Sequence, residues 1–201
     1  VLVTGASGYV ALHCVQQLLA AGFTVRGTVR DKSNRKKDWP SPSTILIRAM
    51  DGCSFVLHVA SPWPIVADES TVQTAVEGTM NVLRTAATTS SVKKVVITSS
   101  CVAVNDGHRS DSKVFDERWW TNLDNPRVEN YARSKTMSEL AAWKYWNTLD
   151  HNNRFALTVL NPTFIVGPLL SNVRHGSAII VGRFMDYRTY LATPKVSVGI
   201  V

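Results

Sequence analysis

The residues Thr4-Gly5-Ala6-Ser7-Gly8-Tyr9-Val10-Ala11, directly after the apolar Val1-Leu2-Val3, constrain this chain more than any other stretch. Glycines at that spacing let a strand turn sharply into a helix and leave backbone bare where the first helical N–H groups emerge. A pyrophosphate is the natural occupant of such a seat. The pattern predicts a strand over Val1–Val3 and a helix over Gly8–Ala20, whose Ala11, Val15, Leu18 and Leu19 share a face and which Gly22 ends. Glycine also serves tight turns with no ligand, but placement between a strand and a helix favours binding.

Downstream, apolar runs alternate with stretches of helical period. Strands are expected over Phe23–Val29, Phe55–Val59, Val95–Thr98 and Ala156–Leu160, and helices over Thr71–Thr88 and Asn130–Asn147. Such alternation builds an α/β fold with a doubly wound parallel sheet, a Rossmann fold. At 201 residues, 45% of them hydrophobic and 18% charged, the chain can bury one substantial core. The tail beyond Pro168 has weak periodicity. One interval is short: Arg30 and Phe55 lie 25 positions apart, whereas a helix, a strand and a second helix need about 40 residues. Part of an ordinary Rossmann half is therefore expected to be missing.

Lys and Arg number 22 against 15 Asp and Glu, a formal charge of +7 that favours an anionic partner. The basic residues are scattered over every segment, which argues against nucleic acid, and no uncharged run is long enough to span a bilayer. Cys14, Cys53 and Cys101 form no CxxC pair, so reduced cytoplasm is the expected compartment. His13, His58, His108, His151 and His175 show no ligand spacing, so no metal is expected. Ser100 lacks the flanking glycines of a hydrolase elbow.

Arg30 stands at the end of the second strand, where an acidic residue would grip the ribose of NAD; a guanidinium there favours the 2′-phosphate of NADP, with Lys36 and Lys37 nearby. Asp31 beside it keeps NAD as the alternative. Ser99 and Ser100 close the strand Val95–Thr98 at the carboxyl edge, where open α/β sheets place ligands. Tyr131 and Lys135, in Tyr131-Ala132-Arg133-Ser134-Lys135, lie at i and i+4 on one helical face. Each piece alone is common; the conjunction of glycine turn, serine pair and Tyr-x-x-x-Lys is specific.

At this point the chain resembles the extended short-chain dehydrogenase/reductase superfamily, in particular its dihydroflavonol reductase, cinnamoyl-CoA reductase and yeast ketoreductase group. Further matching stretches are Thr28-Val29-Arg30-Asp31, His58-Val59-Ala60-Ser61-Pro62, Val76 to Leu83, Ile97-Thr98-Ser99-Ser100 and Asn161 to Pro168. The resemblance implies a carbonyl reductase acting on a small aldehyde or ketone, or on the corresponding alcohol, as a monomer or homodimer. It implies that Ser100 holds the substrate carbonyl, Tyr131 donates the proton, Lys135 holds the nicotinamide ribose and stabilises tyrosinate, and Asn81 belongs to a proton relay. By the same matching, Gly5, Ser7, Gly8, Tyr9 and Val10 face the pyrophosphate, and Arg30 and Lys37 the 2′-phosphate. Val59, Ala60, Ser61, Pro162 and Ile165 line the nicotinamide half. Physical chemistry is compatible: an ammonium beside a phenol lowers its pKa, although apolar burial opposes this.

Two departures from that family stand out. No third strand with an acidic end precedes Arg48–Cys53, which instead resembles the end of the helix that would follow it. Residues 1–168 read as the nucleotide-binding unit and 169–201 as the start of a substrate-binding region, so a fragment, alternative transcript or faulty gene model is expected. The rival reading is a nucleotide-binding regulatory or scaffold protein without turnover; an NAD-linked hydroxysteroid-type dehydrogenase is the rival enzyme. A UDP-sugar dehydratase is disfavoured because Cys101 and Val102, not an acid, follow Ser100. Trp119 and Trp120 serve either to roof an aromatic substrate or to pack a loop.

Overall fold

The computed structural model describes residues 1–29, 41–64, 66–108, 114–151, 154–171, 176–186 and 188. Five strands, β1 (Leu2–Thr4), β2 (Arg26–Thr28), β3 (Phe55–His58), β4 (Lys94–Thr98) and β5 (Ala156–Leu160), form one parallel sheet in the order β2-β1-β3-β4-β5. The helices are α1 (Tyr9–Ala20), α2 (Pro42–Met50), α3 (Glu69–Thr88), α4 (Asn130–Thr148) and α5 (Ser177–Phe184). The sequence therefore specifies the expected α/β architecture. α5 lies in the tail that showed little periodicity, because eight residues are about two turns, too short for a helical period to stand out in the sequence.

Alternation along the strands explains the core. Leu2, Val56, Val95 and Ile97 point to one face and are buried with Met50 of α2, Val82 and Leu83 of α3 and Ala142 of α4. Burial of several such side chains, at about 1.5–3 kcal/mol each, is the main force holding those helices to the sheet. α3 starts two residues before the expected Thr71. Asp68 accepts the Thr71 N–H at 2.9 Å while the Thr71 hydroxyl accepts the Asp68 N–H at 3.1 Å, a reciprocal cap.

β2 is shorter than the expected Phe23–Val29, for a reason visible in the backbone. Gly22 at φ +81° closes α1, and Phe23 donates its N–H to Leu18 O at 3.0 Å, so Phe23 belongs to the helix terminus and not to the sheet. Among the described residues only α2 lies between β2 and β3. Among the described strands, the order equals the doubly wound order 3-2-1-4-5-6 without its outermost member. Arg26 closes the shortened side: its guanidinium donates to Arg48 O, Ala49 O and Asp51 O at 3.2, 2.8 and 2.8 Å, tying β2 to the carboxyl end of α2. Arg26→Ala is expected to lower stability by about 1 kcal/mol, read as a shift of the urea midpoint with an unchanged slope. An unshifted midpoint would show that solvent replaces these contacts at no cost.

Candidate functional site

The order in which strands are laid down reverses between the parallel β1 and β3, and open α/β sheets bind ligands at the carboxyl ends of such neighbours. Gly5 leaves β1 at φ +66°, a conformation that favours glycine, and a Cβ there would sit 3.1 Å from Ala60 Cβ. The turn is fastened to β2: Ala6 donates to Thr28 O at 2.8 Å and Gly5 to the Thr28 hydroxyl at 3.3 Å. Gly27, not singled out from the sequence, is needed for this approach, since its Cβ would lie 2.6 Å from Ala6 Cβ. A period-2 strand reading gave no reason to notice it.

No side chain caps α1 at Gly8 and no acid stands in its first turn, so the N–H groups of Tyr9, Val10 and Ala11 have no side-chain acceptor at the helix mouth. Ser7 is exposed beside them. This bare cradle fits the pyrophosphate of a dinucleotide. Tyr9 donates its hydroxyl to Gly167 O at 2.8 Å, and His13 meets Pro168 O at 3.0 Å, so the segment after β5 is strapped over the turn. Ile165, Val166 and Gly167 then line, with Tyr9 and Val181, a cavity of about 550 Å³. Arg30 and Lys37, with Asp31 and Lys36, lie outside the described residues.

At the end of β3, the Thr4 hydroxyl meets His58 Nδ1 at 2.9 Å and accepts the Ala60 N–H at 3.1 Å, which fixes the Val59-Ala60-Ser61 segment against the glycine turn. His58 is buried, and its pKa falls to about 4 through burial and then through the charge of Lys135. A histidine depressed in the folded state leaves stability intact above its unfolded pKa near 6.5, and stability is lost as pH falls toward 4. The expected loss from this group is about 3 kcal/mol over that window. His58→Asn should flatten the pH dependence of unfolding there; an unchanged profile would count against burial of a neutral ring.

Ser100, Tyr131 and Lys135 converge on the carboxyl side of β4. Ser99 and Cys101 donate their N–H groups to Leu160 O at 2.8 Å and Pro162 O at 2.9 Å, so β5 and its following loop hold the Ser100 backbone. α4 presents Tyr131 and Lys135 one turn apart. Lys135 Nζ lies 3.5 Å from Thr98 O and 6.0 Å from the Tyr131 ring centre. Burial raises the Tyr131 pKa, while hydrogen bonds from Ser100 and Trp63 oppose the rise. Of the two effects weighed from the sequence, burial prevails. Lys135 is pushed down to about 8 by burial, with Glu139 pulling the other way.

Three residues of this cluster were not recognised as such in the sequence. Trp63, in the loop after β3, reaches Tyr131. Glu139 is buried, and Asn161 Nδ2 donates both to its Oε2 at 2.8 Å and to Ser100 O at 3.2 Å. Position at a carboxyl strand edge was the available signal for Trp63 and Asn161, and the i+4 step from Lys135 for Glu139. Lys135, Glu139, His58 and Ser99 share a cavity of about 20 Å³, the room of a single water. Asn81 sits half-buried on α3, where its carbonyl accepts the Thr85 hydroxyl at 2.7 Å; the described hydrogen bonds do not link it to Tyr131 or Lys135.

Elsewhere, Trp119 packs against Phe115 and His108, and His108 meets Trp120 O at 2.8 Å, which is loop packing. Among the described residues, no three His, Cys, Asp or Glu side chains gather to hold a metal ion, and no helix is long and apolar enough to cross a membrane.

Residues 1–187 match the model of the NAD dependent epimerase/dehydratase family. The chain belongs to that family. The extended short-chain dehydrogenase/reductase resemblance read from its motifs is therefore borne out. Within this epimerase/dehydratase family, the chain is 37% identical to a cinnamoyl-CoA reductase of Medicago truncatula over 206 residues, using 90% of this chain and 62% of that protein. It is also 37% identical to tetraketide alpha-pyrone reductase 1 of Arabidopsis thaliana, over 85% of this chain and 58% of the relative. Among solved structures, the NADPH complex of a yeast methylglyoxal/isovaleraldehyde reductase matches with a TM-score of 0.71 at 27% identity, covering 85% of this chain and 59% of that one. The corresponding Candida albicans NADPH complex gives 0.75 at 27% identity, covering 98% and 67%. The chain thus spans roughly three fifths of the length of these relatives. The Medicago alignment is longer than this 201-residue chain yet uses only 90% of it, so the relative carries residues inside the matched region that this chain lacks. That agrees with the single helix found between β2 and β3 among the described residues.

Proposed function

We propose that this chain is an NADP-linked reductase of small aldehydes or ketones, working reversibly on the corresponding alcohols. The observation that carries the reading is the meeting of Ser100, Tyr131 and Lys135 at the sheet edge that also bears the glycine turn. The turn residues Gly5, Ser7, Gly8, Tyr9 and Val10 hold the pyrophosphate, and Arg30 and Lys37 bind the 2′-phosphate, with NAD beside Asp31 as the alternative. Val59, Ala60, Ser61, Pro162 and Ile165 line the nicotinamide side. Residues 1–168 form the nucleotide-binding unit, and 169–201 begin the substrate side. The three cysteines are free thiols, which accords with reduced cytoplasm.

The nicotinamide supplies the hydride when bound. The Ser100 hydroxyl orients the carbonyl oxygen, on which negative charge grows as the carbon is reduced. Tyr131 then passes its phenolic proton to that oxygen, completing the alcohol. The Lys135 ammonium favours the tyrosinate left behind until solvent restores its proton. A raised Tyr131 pKa keeps the acid protonated before the step.

A second reading has one observation in its favour: among the described residues no strand flanks β2 on its outer side, and a nucleotide-binding regulatory protein needs no turnover. Incubating the purified chain with NADPH and a panel of small aldehydes and ketones separates the two. Steady loss of absorbance at the reduced-nicotinamide band is expected; NADPH binding by titration with no turnover across the panel would favour the regulatory reading.

A further inference from the structure

Glu139 is an acid in an unusual place. It is 6% exposed, one helical turn beyond Lys135 on the same face of α4. A buried carboxylate is costly unless it is paired and hydrogen-bonded. Here Asn161 donates to Oε2 at 2.8 Å and the Trp143 indole to Oε1 at 3.4 Å. Both donors are neutral, so its partner in charge must come from elsewhere. Glu139 and Lys135 line the same small cavity. The other titratable groups around Lys135 are Tyr131 on its own helix and His58 from β3, with Cys101 beside Tyr131. Of all these, Glu139 is the group whose charge favours the Lys135 ammonium, whereas the charge of Lys135 repels a proton on His58.

The second contact of Asn161 gives the carboxylate further reach. The same Nδ2 that donates to Glu139 also donates to the carbonyl of Ser100. An amide nitrogen has two hydrogens, and both are committed, one to α4 and one to the backbone that carries the Ser100 hydroxyl.

We propose that Glu139 is a positioning residue for the reduction: its buried charge holds Lys135 as an ammonium, and through Asn161 it anchors the Ser100 backbone. This inference rests on the roles of Lys135 and Ser100 proposed above. An opposite charge one turn away in a poorly solvated site is expected to change the midpoint of Lys135 by about one unit.

The test reads Lys135 directly, by nitrogen NMR of side-chain-labelled lysine, beside the pH profile of kcat, in the full chain. Glu139→Gln keeps the shape and loses the charge. Its Lys135 midpoint should fall by about one unit, and the loss in kcat should grow from about twofold at pH 7 to about tenfold at pH 9. Glu139→Asp keeps the charge and should restore the midpoint to within a few tenths of the wild-type value. Asn161→Ala should lower kcat about tenfold while leaving the Lys135 midpoint in place. An unmoved midpoint in Glu139→Gln, or a midpoint displaced as far in Glu139→Asp, would overturn the proposal. Should Glu139→Gln fail to fold, Glu139→Asp and Asn161→Ala still decide it, a displaced midpoint in the first or an undiminished kcat in the second counting against it. The NMR midpoint needs no turnover. A midpoint that moves in a chain without activity would support the electrostatic role of Glu139 and condemn the reductase reading alone.

Discussion

Replacing Tyr131 with Phe is expected to cut kcat for carbonyl reduction by on the order of 10³ while NADPH affinity stays within a few-fold of wild type. Phe fills the same volume at the same place on α4, so the packing that half-buries the ring persists. What disappears is the one proton positioned for the nascent alkoxide, together with the acceptor for Ser100 and Trp63. Because burial holds the Tyr131 proton above its ordinary range, tyrosine ionisation should not limit the wild-type rate near neutral pH. The alkaline fall in kcat should instead follow Lys135, with a midpoint near 8. Steady-state rates from pH 6 to 10 and a fluorescence titration of NADPH measure both. Retention of a tenth or more of the wild-type kcat would remove Tyr131 from the chemistry.

Lys135→Met is expected to abolish turnover and to remove the part of the pH dependence of stability that Lys135 contributes. Burial lowers the Lys135 pKa from 10.5 to about 8, so the folded state disfavours the ammonium that the unfolded chain carries. A group depressed on folding contributes stability above its unfolded pKa, and that contribution is lost as pH falls through the folded value. At pH 7 the penalty is complete, about 3 kcal/mol, offset in part by the hydrogen bond to Thr98 O. Methionine removes that penalty but leaves the buried Glu139 carboxylate without a counter-charge, a cost of similar size, so the variant should lie within about 2 kcal/mol of wild type at pH 7 and lose about 2 kcal/mol relative to it between pH 7 and pH 9.5. Urea unfolding at the two pH values measures the change. A difference that stays constant between them would mean that Lys135 does not titrate in this range.

How far the sequence reveals the fold varies with the physics of each element. β5 has the expected bounds, Ala156–Leu160, and α4 differs from its expected range by one residue, because a short apolar run and a long helical period are strong local signals. β2 contracts because the α1 terminus claims Phe23, an effect of backbone hydrogen bonding that residue preference does not carry. The Ser100, Tyr131 and Lys135 cluster was legible because two of its members sit i and i+4 on one helix and the third closes a strand. Trp63 and Glu139 were not. Trp63 matters through its reach to Tyr131, 68 positions downstream in the chain, and Glu139 through Asn161, 22 positions away. No local pattern marks either connection.

The margin at which the described sheet ends, β2, has its own consequence. In a sheet ordered 3-2-1-4-5-6 the third strand is outermost, so removing it opens a single ladder and leaves every remaining neighbour joined. Loss of the strand now seated between β1 and β4 would have cut the sheet in two. Deletion at a margin spares the interior. Architecture of this kind has tolerant borders and an intolerant middle, and in this chain the tyrosine, the lysine and the glycine loop all lie at the middle.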